Sequence, residues 1–138
     1  MKIKIKKLYD DAIIPNYAKT GDAGMDLTAV WQKQALDLMT YGTGLAVEIP
    51  AGYVGLLFPR SSVYKTKMLL TNCVGVIDSG YRGEIMMKFE IMDTSHMYKV
   101  GDRIGQIIIL PYPKIEFEEV NELNDSNRGS GGFGSTGN

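Results

Sequence analysis

Apolar and polar positions alternate along much of this chain, and a period of two is the signature of strands. Lysine and isoleucine alternate from Lys2 to Lys7. Between Glu84 and Met92, Ile85, Met87, Phe89 and Ile91 share one face; Glu84, Lys88 and Glu90 share the other with Met86 and Met92. Leu45–Ile49 and Tyr53–Phe58 read as two strands joined by the turn Pro50-Ala51-Gly52. Ile104–Leu110 is a near-continuous apolar run, suited to a strand buried on both faces. Ile115–Val120 reads as a further strand, reached through a connection bracketed by Pro111 and Pro113. Helical periodicity is nearly absent, and one short helix is expected from about Ser61 through Val63, Tyr64 and Lys65. Many short strands punctuated by Gly and Pro predict an all-β sandwich or barrel. After Asn121 the composition turns polar and glycine-rich, which divides the chain into a core, 1–121, and a C-terminal arm, 122–138.

Composition narrows the picture only a little. A chain of 138 residues, 44% of them hydrophobic, is one domain with a real core. The formal net charge of −1 gives no broad basic field for nucleic acid, so an anionic ligand must be held by local groups. Cys73 is the one cysteine, which excludes a disulfide within the chain; it lies in an apolar stretch expected to be a strand and reads as structural. Met1–Lys7 has a strand pattern and not that of a secretory leader, and no run of about 18 apolar residues exists to span a membrane. A cytoplasmic setting is expected.

Two segments carry candidate chemistry. In the first, the apolar run Val74–Ile77 ends on Asp78, reverses through Ser79-Gly80 and reaches Tyr81. This reads as a β-hairpin whose turn projects a carboxylate and a flat ring, a rigid way to place a general base beside a small ligand. The ordinary alternative is a hairpin whose Asp bonds its own turn. In the second segment, Arg128 precedes the run Gly129-Ser130-Gly131-Gly132-Phe133-Gly134-Ser135-Thr136-Gly137. Glycine lets backbone N–H groups approach an anion, and Arg128 adds a fork of donors, although a flexible tail has the same composition. The absence of Gly-Lys-Ser/Thr excludes a Walker A loop.

Three further segments complete a pattern: Ala23-Gly24-Met25-Asp26-Leu27, Pro59-Arg60-Ser61-Ser62 and Asp102-Arg103-Ile104-Gly105-Gln106. With the two above, in this order and at this spacing, the chain resembles the trimeric dUTP pyrophosphatase (dUTPase) family from about Leu8 to Gly137. The resemblance implies a jelly-roll-like all-β fold with one short helix, a homotrimer with shared active sites, and Mg²⁺-dependent hydrolysis of dUTP to dUMP and pyrophosphate. It implies Asp78 as the base for water attack on the α-phosphate, Tyr81 packed on the deoxyribose, and Asn72 with backbone groups of Val76 and Ile77 on uracil. Arg60, Ser61, Ser62 and Gln106 fall to the phosphates, Asp26 to the metal through water, and Met86 to a position near the substrate. Phe133 would cover the base, while Arg128, Gly134, Ser135 and Thr136 would close on the phosphates as a lid. Ser61 has the simpler reading of a helix N-cap, and Arg103 reads as a structural ion-pair partner.

Departures from the family pattern are small: Gly80 where many relatives have an acidic residue, and Met68-Leu69 where a Gly-Leu pair is usual. His96, the one histidine, sits in a polar connection and reads as non-catalytic, and Trp31 as a core or subunit contact. Two alternatives remain. A dCTP deaminase of the same fold shares the Arg-Ser-Ser and Ile-Asp segments, but Lys88 stands where its catalytic glutamate belongs. A nucleotide-binding regulatory protein of the same fold would keep the site and act through a partner.

Overall fold

The alternating segments assemble into three sheets. The computed structural model describes residues 1–132. Its strands are β1 (Lys4–Lys7), β2 (Met25–Thr28), β3 (Trp31–Ala35), β4 (Leu38–Gly42), β5 (Leu45–Glu48), β6 (Tyr53–Phe58), β7 (Met68–Leu70), β8 (Gly75–Ile77), β9 (Met86–Ile91) and β10 (Arg103–Pro111). One four-stranded sheet has the order β2-β10-β6-β8, the other β3-β4-β9-β7, and β1 pairs with β5 alone. Every pairing is antiparallel. This is an all-β sandwich, one of the two architectures the patterning predicts, and it agrees with the jelly-roll-like fold that the resemblance implies. The short helix is a single 3-10 element, Ser61–Lys65; a second, Thr94–His96, follows later.

The core lies where the sheets face each other. Leu27, Leu57, Ile104 and Ile107 come from one sheet; Met39, Tyr41, Met87 and Phe89 come from the other; Leu45 and Val47 of β5 close the side. The predicted inner face of β9 holds: Ile85, Met87 and Phe89 are buried, while Met86 and Lys88 are exposed. Fully burying such a side chain contributes about 1.5–3 kcal/mol. Tyr41, Phe89 and Tyr98 meet edge to face, with ring centroids 5.7–6.1 Å apart. The Tyr41 hydroxyl donates to the Tyr98 carbonyl at 2.7 Å, and burial, helped by the charge of Asp102, pushes its pKa up to about 12.

The expected strands β5 and β6 form and flank the predicted turn, with Tyr53 N–H bonded to the Pro50 carbonyl at 3.1 Å, and they join different sheets. The segment around Asp78, in contrast, is no hairpin. β8 pairs with β6, and the chain then crosses to β9 in the opposite sheet. Cys73 is exposed, outside any strand, with φ 57° in a loop between β7 and β8. The stretch 25–42 forms three strands that its sequence announces weakly, because β3 presents Gln32, Lys33 and Gln34 to solvent.

The strand expected at Ile115–Val120 does not form within the chain. Among the described residues the last backbone bond to the body is Tyr112 N–H to the Gly52 carbonyl, at 3.0 Å. From Tyr112 to Ser130 every residue is exposed, Phe117 by 93%. A strand has no stability without a sheet to join.

Candidate active site

The edge strand β8 and the loops on either side of it build one half of the site. Asn72 stands in the β7–β8 loop, Ile77 ends β8, and Tyr81 follows a tight turn closed by the Tyr81 N–H on the Asp78 carbonyl at 3.0 Å. These residues border a pocket of about 220 Å³ with Leu70, Met86 and Lys88. Because β8 is an edge strand, half of its backbone N–H and C=O groups face away from β6. Val76 is exposed and, with Asp78, faces a second depression bounded by Tyr53, Val54, Ser79 and Tyr112. Among the described residues the Asp78 carboxylate makes no ion pair.

The other half is a charged cluster set by strand register. Gln106 on β10 pairs with Asp26 on one side and Phe58 on the other, which brings β2, β10 and the end of β6 together. Asp26 Oδ1 accepts from Arg60 Nε at 2.8 Å, and Oδ2 accepts from Arg103 Nη1 at 3.0 Å. Arg60 Nη1 donates to Ser62 Oγ at 3.3 Å, and Gln106 Nε2 to the Pro59 carbonyl at 3.1 Å. One carboxylate between two guanidiniums leaves the cluster net positive. Tyr98 lies beneath: burial pushes its phenol pKa up, and the charge of Arg60 pulls against that shift.

Arg60, not Ser61, is the N-cap of the 3-10 element, and no side chain caps it. Val63 N–H bonds the Arg60 carbonyl at 2.9 Å, which leaves the N–H groups of Ser61 and Ser62 unused by the helix. Five residues make too short a helix for a substantial dipole, so what this element offers an anion is those two N–H groups and the hydroxyls.

The two halves are far apart in one chain. Ile77 pairs with Gly55 near the start of β6, whereas Arg60 lies past the end of that strand at Phe58. Five residues of extended chain separate Gly55 from Arg60, about 16 Å at roughly 3.3 Å per residue. Asp78 and Tyr81 therefore share no cavity with Arg60, Ser61, Ser62 or Gln106 of the same copy.

The profile of the family described as dUTPase matches residues 10–137. The chain belongs to the dUTPase family. It is 39% identical to the deoxyuridine 5'-triphosphate nucleotidohydrolase of Hydrogenobaculum sp., over 99% of both chains. It is 42% identical to the protein of the same name from Clostridioides difficile, over 98% of this chain and 97% of that one. In structure it resembles the dUTPase of Staphylococcus bacteriophage 80alpha, a G164S mutant with dUpNHpp, with a TM-score of 0.84. That match covers 99% of this chain and 98% of the phage chain at 28% identity.

Of the dUTPase arm, Arg128 is exposed and its Nε donates to the Gly131 carbonyl at 3.0 Å, inside its own turn. Phe133, Gly134, Ser135 and Thr136 lie outside the described residues. Sequence reasoning missed two residues that shape the nucleoside half of this dUTPase. Arg82 Nη1 donates to the carbonyls of Ser79 and Tyr81 at 2.7 and 2.8 Å, which ties the turn shut. Glu84 Oε1 accepts from Trp31 Nε1 and from the Gly44 N–H, both at 2.8 Å. Arg82 follows the turn directly, a position from which a long donor reaches back; Trp31 is too distant in sequence from Glu84 for any local signal.

Proposed function

We propose that this chain hydrolyses dUTP to dUMP and pyrophosphate in the cytoplasm, as a homotrimer whose active sites each combine two or more copies. The observation that carries the reading is the pocket between Asn72, Ile77, Tyr81 and Met86, next to a separate depression bordered by Asp78, three residues before the ring. Outward backbone groups of Val76 and Ile77, with Asn72, pair with the edge of uracil as a second strand would. Tyr81 packs against C2′ of the sugar and leaves no room for a hydroxyl. Met86 lines the same wall.

Asp78 orients a water and takes its proton as the oxygen attacks the α-phosphorus. The bond to the bridging oxygen breaks, and pyrophosphate leaves with that electron pair. A carboxylate is a weak base, so placement contributes more than basicity. Arg60, Ser61, Ser62 and Gln106 hold the phosphates through charge-assisted and neutral hydrogen bonds. Arg128, Phe133, Gly134, Ser135 and Thr136 close over the bound triphosphate and exclude water.

Each oxygen of Asp26 already faces one arginine, yet a carboxylate oxygen accepts more than one donor. Asp26 would hold a Mg²⁺ ion through a water rather than directly, with the triphosphate supplying the ion's other ligands. When bound, the ion supplies positive charge where the phosphate oxygens develop negative charge.

The roughly 16 Å of extended backbone between Gly55, opposite the end of β8, and Arg60 supports composite sites. The α-phosphate addressed by Asp78 and the β- and γ-phosphates held by Arg60 are adjacent groups, so one copy cannot serve both. Another copy must bring its Arg60 cluster to the Asp78 turn. The exposed apolar stretch from Ile115 to Leu123 supports an arm that leaves its own body to reach a neighbour.

The test is a purified-protein assay offering dUTP, dCTP, dTTP and UTP, with pyrophosphate and ammonia read separately. Pyrophosphate from dUTP alone is expected. Ammonia from dCTP without pyrophosphate from dUTP overturns the reading in favour of a deaminase, and no turnover of any substrate overturns it in favour of a binding protein.

A further inference from the structure

Tyr81 sits in a loop between two sheets and is 40% exposed, yet sugar discrimination requires a ring that holds still. Its hydroxyl donates to the main-chain carbonyl of Glu84 at 3.0 Å. The ring also lies across Gly83, where a Cβ would overlap the phenol. The position of the ring therefore follows the backbone of residues 83 and 84.

What fixes that backbone is the Glu84 carboxylate. It makes no ion pair among the described residues. A single oxygen, Oε1, takes the indole N–H of Trp31 and the backbone N–H of Gly44. Trp31 is seated by a second feature: its indole covers Gly42, and any Cβ at Gly42 would overlap the ring. The neighbouring residues are zipped to the same segment, with Thr43 Oγ1 donating to the Ile85 carbonyl and Ile85 N–H to that of Leu45, both at 2.8 Å. The path runs without a gap from Gly42 through Trp31, Glu84 and Tyr81 to the pocket.

We infer that Trp31 and Glu84 form a positioning pair that sets the discrimination between deoxyribonucleotide and ribonucleotide by holding Tyr81 in place. This rests on the reading that Tyr81 covers C2′. Glu84 also borders the pocket and Trp31 does not, so Trp31→Phe and Gly42→Ala test the positioning role without removing a pocket-lining side chain. Losing the pair lets the ring swing and opens room for a 2′-hydroxyl, so the affected quantity is the ratio of kcat/KM for dUTP to that for UTP.

The experiment measures that ratio in Glu84→Ala, Glu84→Gln, Trp31→Phe, Gly42→Ala and Tyr81→Ala. Glu84→Ala is expected to lower it by about tenfold or more. Trp31→Phe and Gly42→Ala, which remove or displace one donor of two, are expected to lower it by a smaller factor. Glu84→Gln is expected to recover the ratio, because the amide oxygen accepts the same two hydrogens. Trp31 is the one tryptophan of the chain, so its fluorescence reports directly on the pair. Saturating dUMP should shift the emission of the native enzyme and leave that of Glu84→Ala unchanged.

The Tyr81→Ala control separates two kinds of failure. An unchanged ratio in Tyr81→Ala removes the sugar contact itself. A narrowed ratio in Tyr81→Ala beside an unchanged one in Glu84→Ala overturns the positioning pair. Should Glu84→Ala fail to fold, unchanged ratios in both Trp31→Phe and Gly42→Ala overturn it equally.

Discussion

The pocket beside Tyr81 and the charged cluster around Asp26 and Arg60 are built by opposite means. The pocket side comes mainly from one contiguous stretch, Asn72 to Met86, shaped by turns and short-range bonds such as Tyr81 N–H to the Asp78 carbonyl and Arg82 to Ser79. The cluster comes from three strands, and its ion pairs join residues 34 and 77 positions apart. Shape recognition needs a rigid local surface, which one edge strand and its loops provide. Charge recognition needs several groups of fixed orientation, which the register of a central strand provides. On the proposed function one division of labour follows: the first region would decide which nucleotide is accepted, and the second would hold any triphosphate.

Substitutions should respect that division. Asp78→Asn keeps the shape and cannot take the proton, so kcat should fall by about 10²–10⁴-fold with little change in KM. Retention of more than about a tenth of native kcat would remove Asp78 as the base. Arg60→Ala strips a charge-assisted partner worth about 1.5–3 kcal/mol, so kcat/KM should fall about ten- to a hundredfold, mostly through KM. The loss should be the same for dUTP and UTP; a loss confined to one of them would break the division. Tyr81→Ala should instead narrow the gap between dUTP and UTP, and competition assays with both nucleotides would expose an unchanged preference. The smallest effect is expected at Cys73, whose φ of 57° in the pocket loop suits glycine. Cys73→Gly should raise Tm by a few degrees at most, about 0.5–1 kcal/mol, and leave substrate preference alone. A lower Tm in calorimetry would mean that the thiol packs against something.

How much of this the sequence shows follows the same split. The strand around Ile85, Met87 and Phe89 is legible because one face is buried and the other wet. The turn at Asp78–Tyr81 is legible as a turn, but not as a crossing between sheets, because local residues do not say which sheet a strand will join. Asp26, Arg60 and Gln106 are named by family resemblance alone; their meeting depends on the register of β10, which no local pattern records. Arg103 reads as an ion-pair partner and is one, on Asp26. Ile115–Val120 has the alternation of a strand and no sheet to join within its own chain, so the propensity reading fails there and context overrides it. Trp31 and Glu84 stay invisible because their contact spans 53 positions.

The central claim is that one active site draws its base and its phosphate cluster from different copies. Two variants, Asp78→Asn and Arg60→Ala, each expected to keep at most about a tenth of native kcat/KM, are unfolded together at equal concentration, refolded as mixed trimers and assayed for dUTP turnover at substrate far below KM. With random assortment, a site receives an intact Asp78 half the time and an intact Arg60 half the time, so recovery to about a quarter of native activity is predicted. Activity no higher than the mean of the two variants refolded separately would place both halves in one copy and contradict the account.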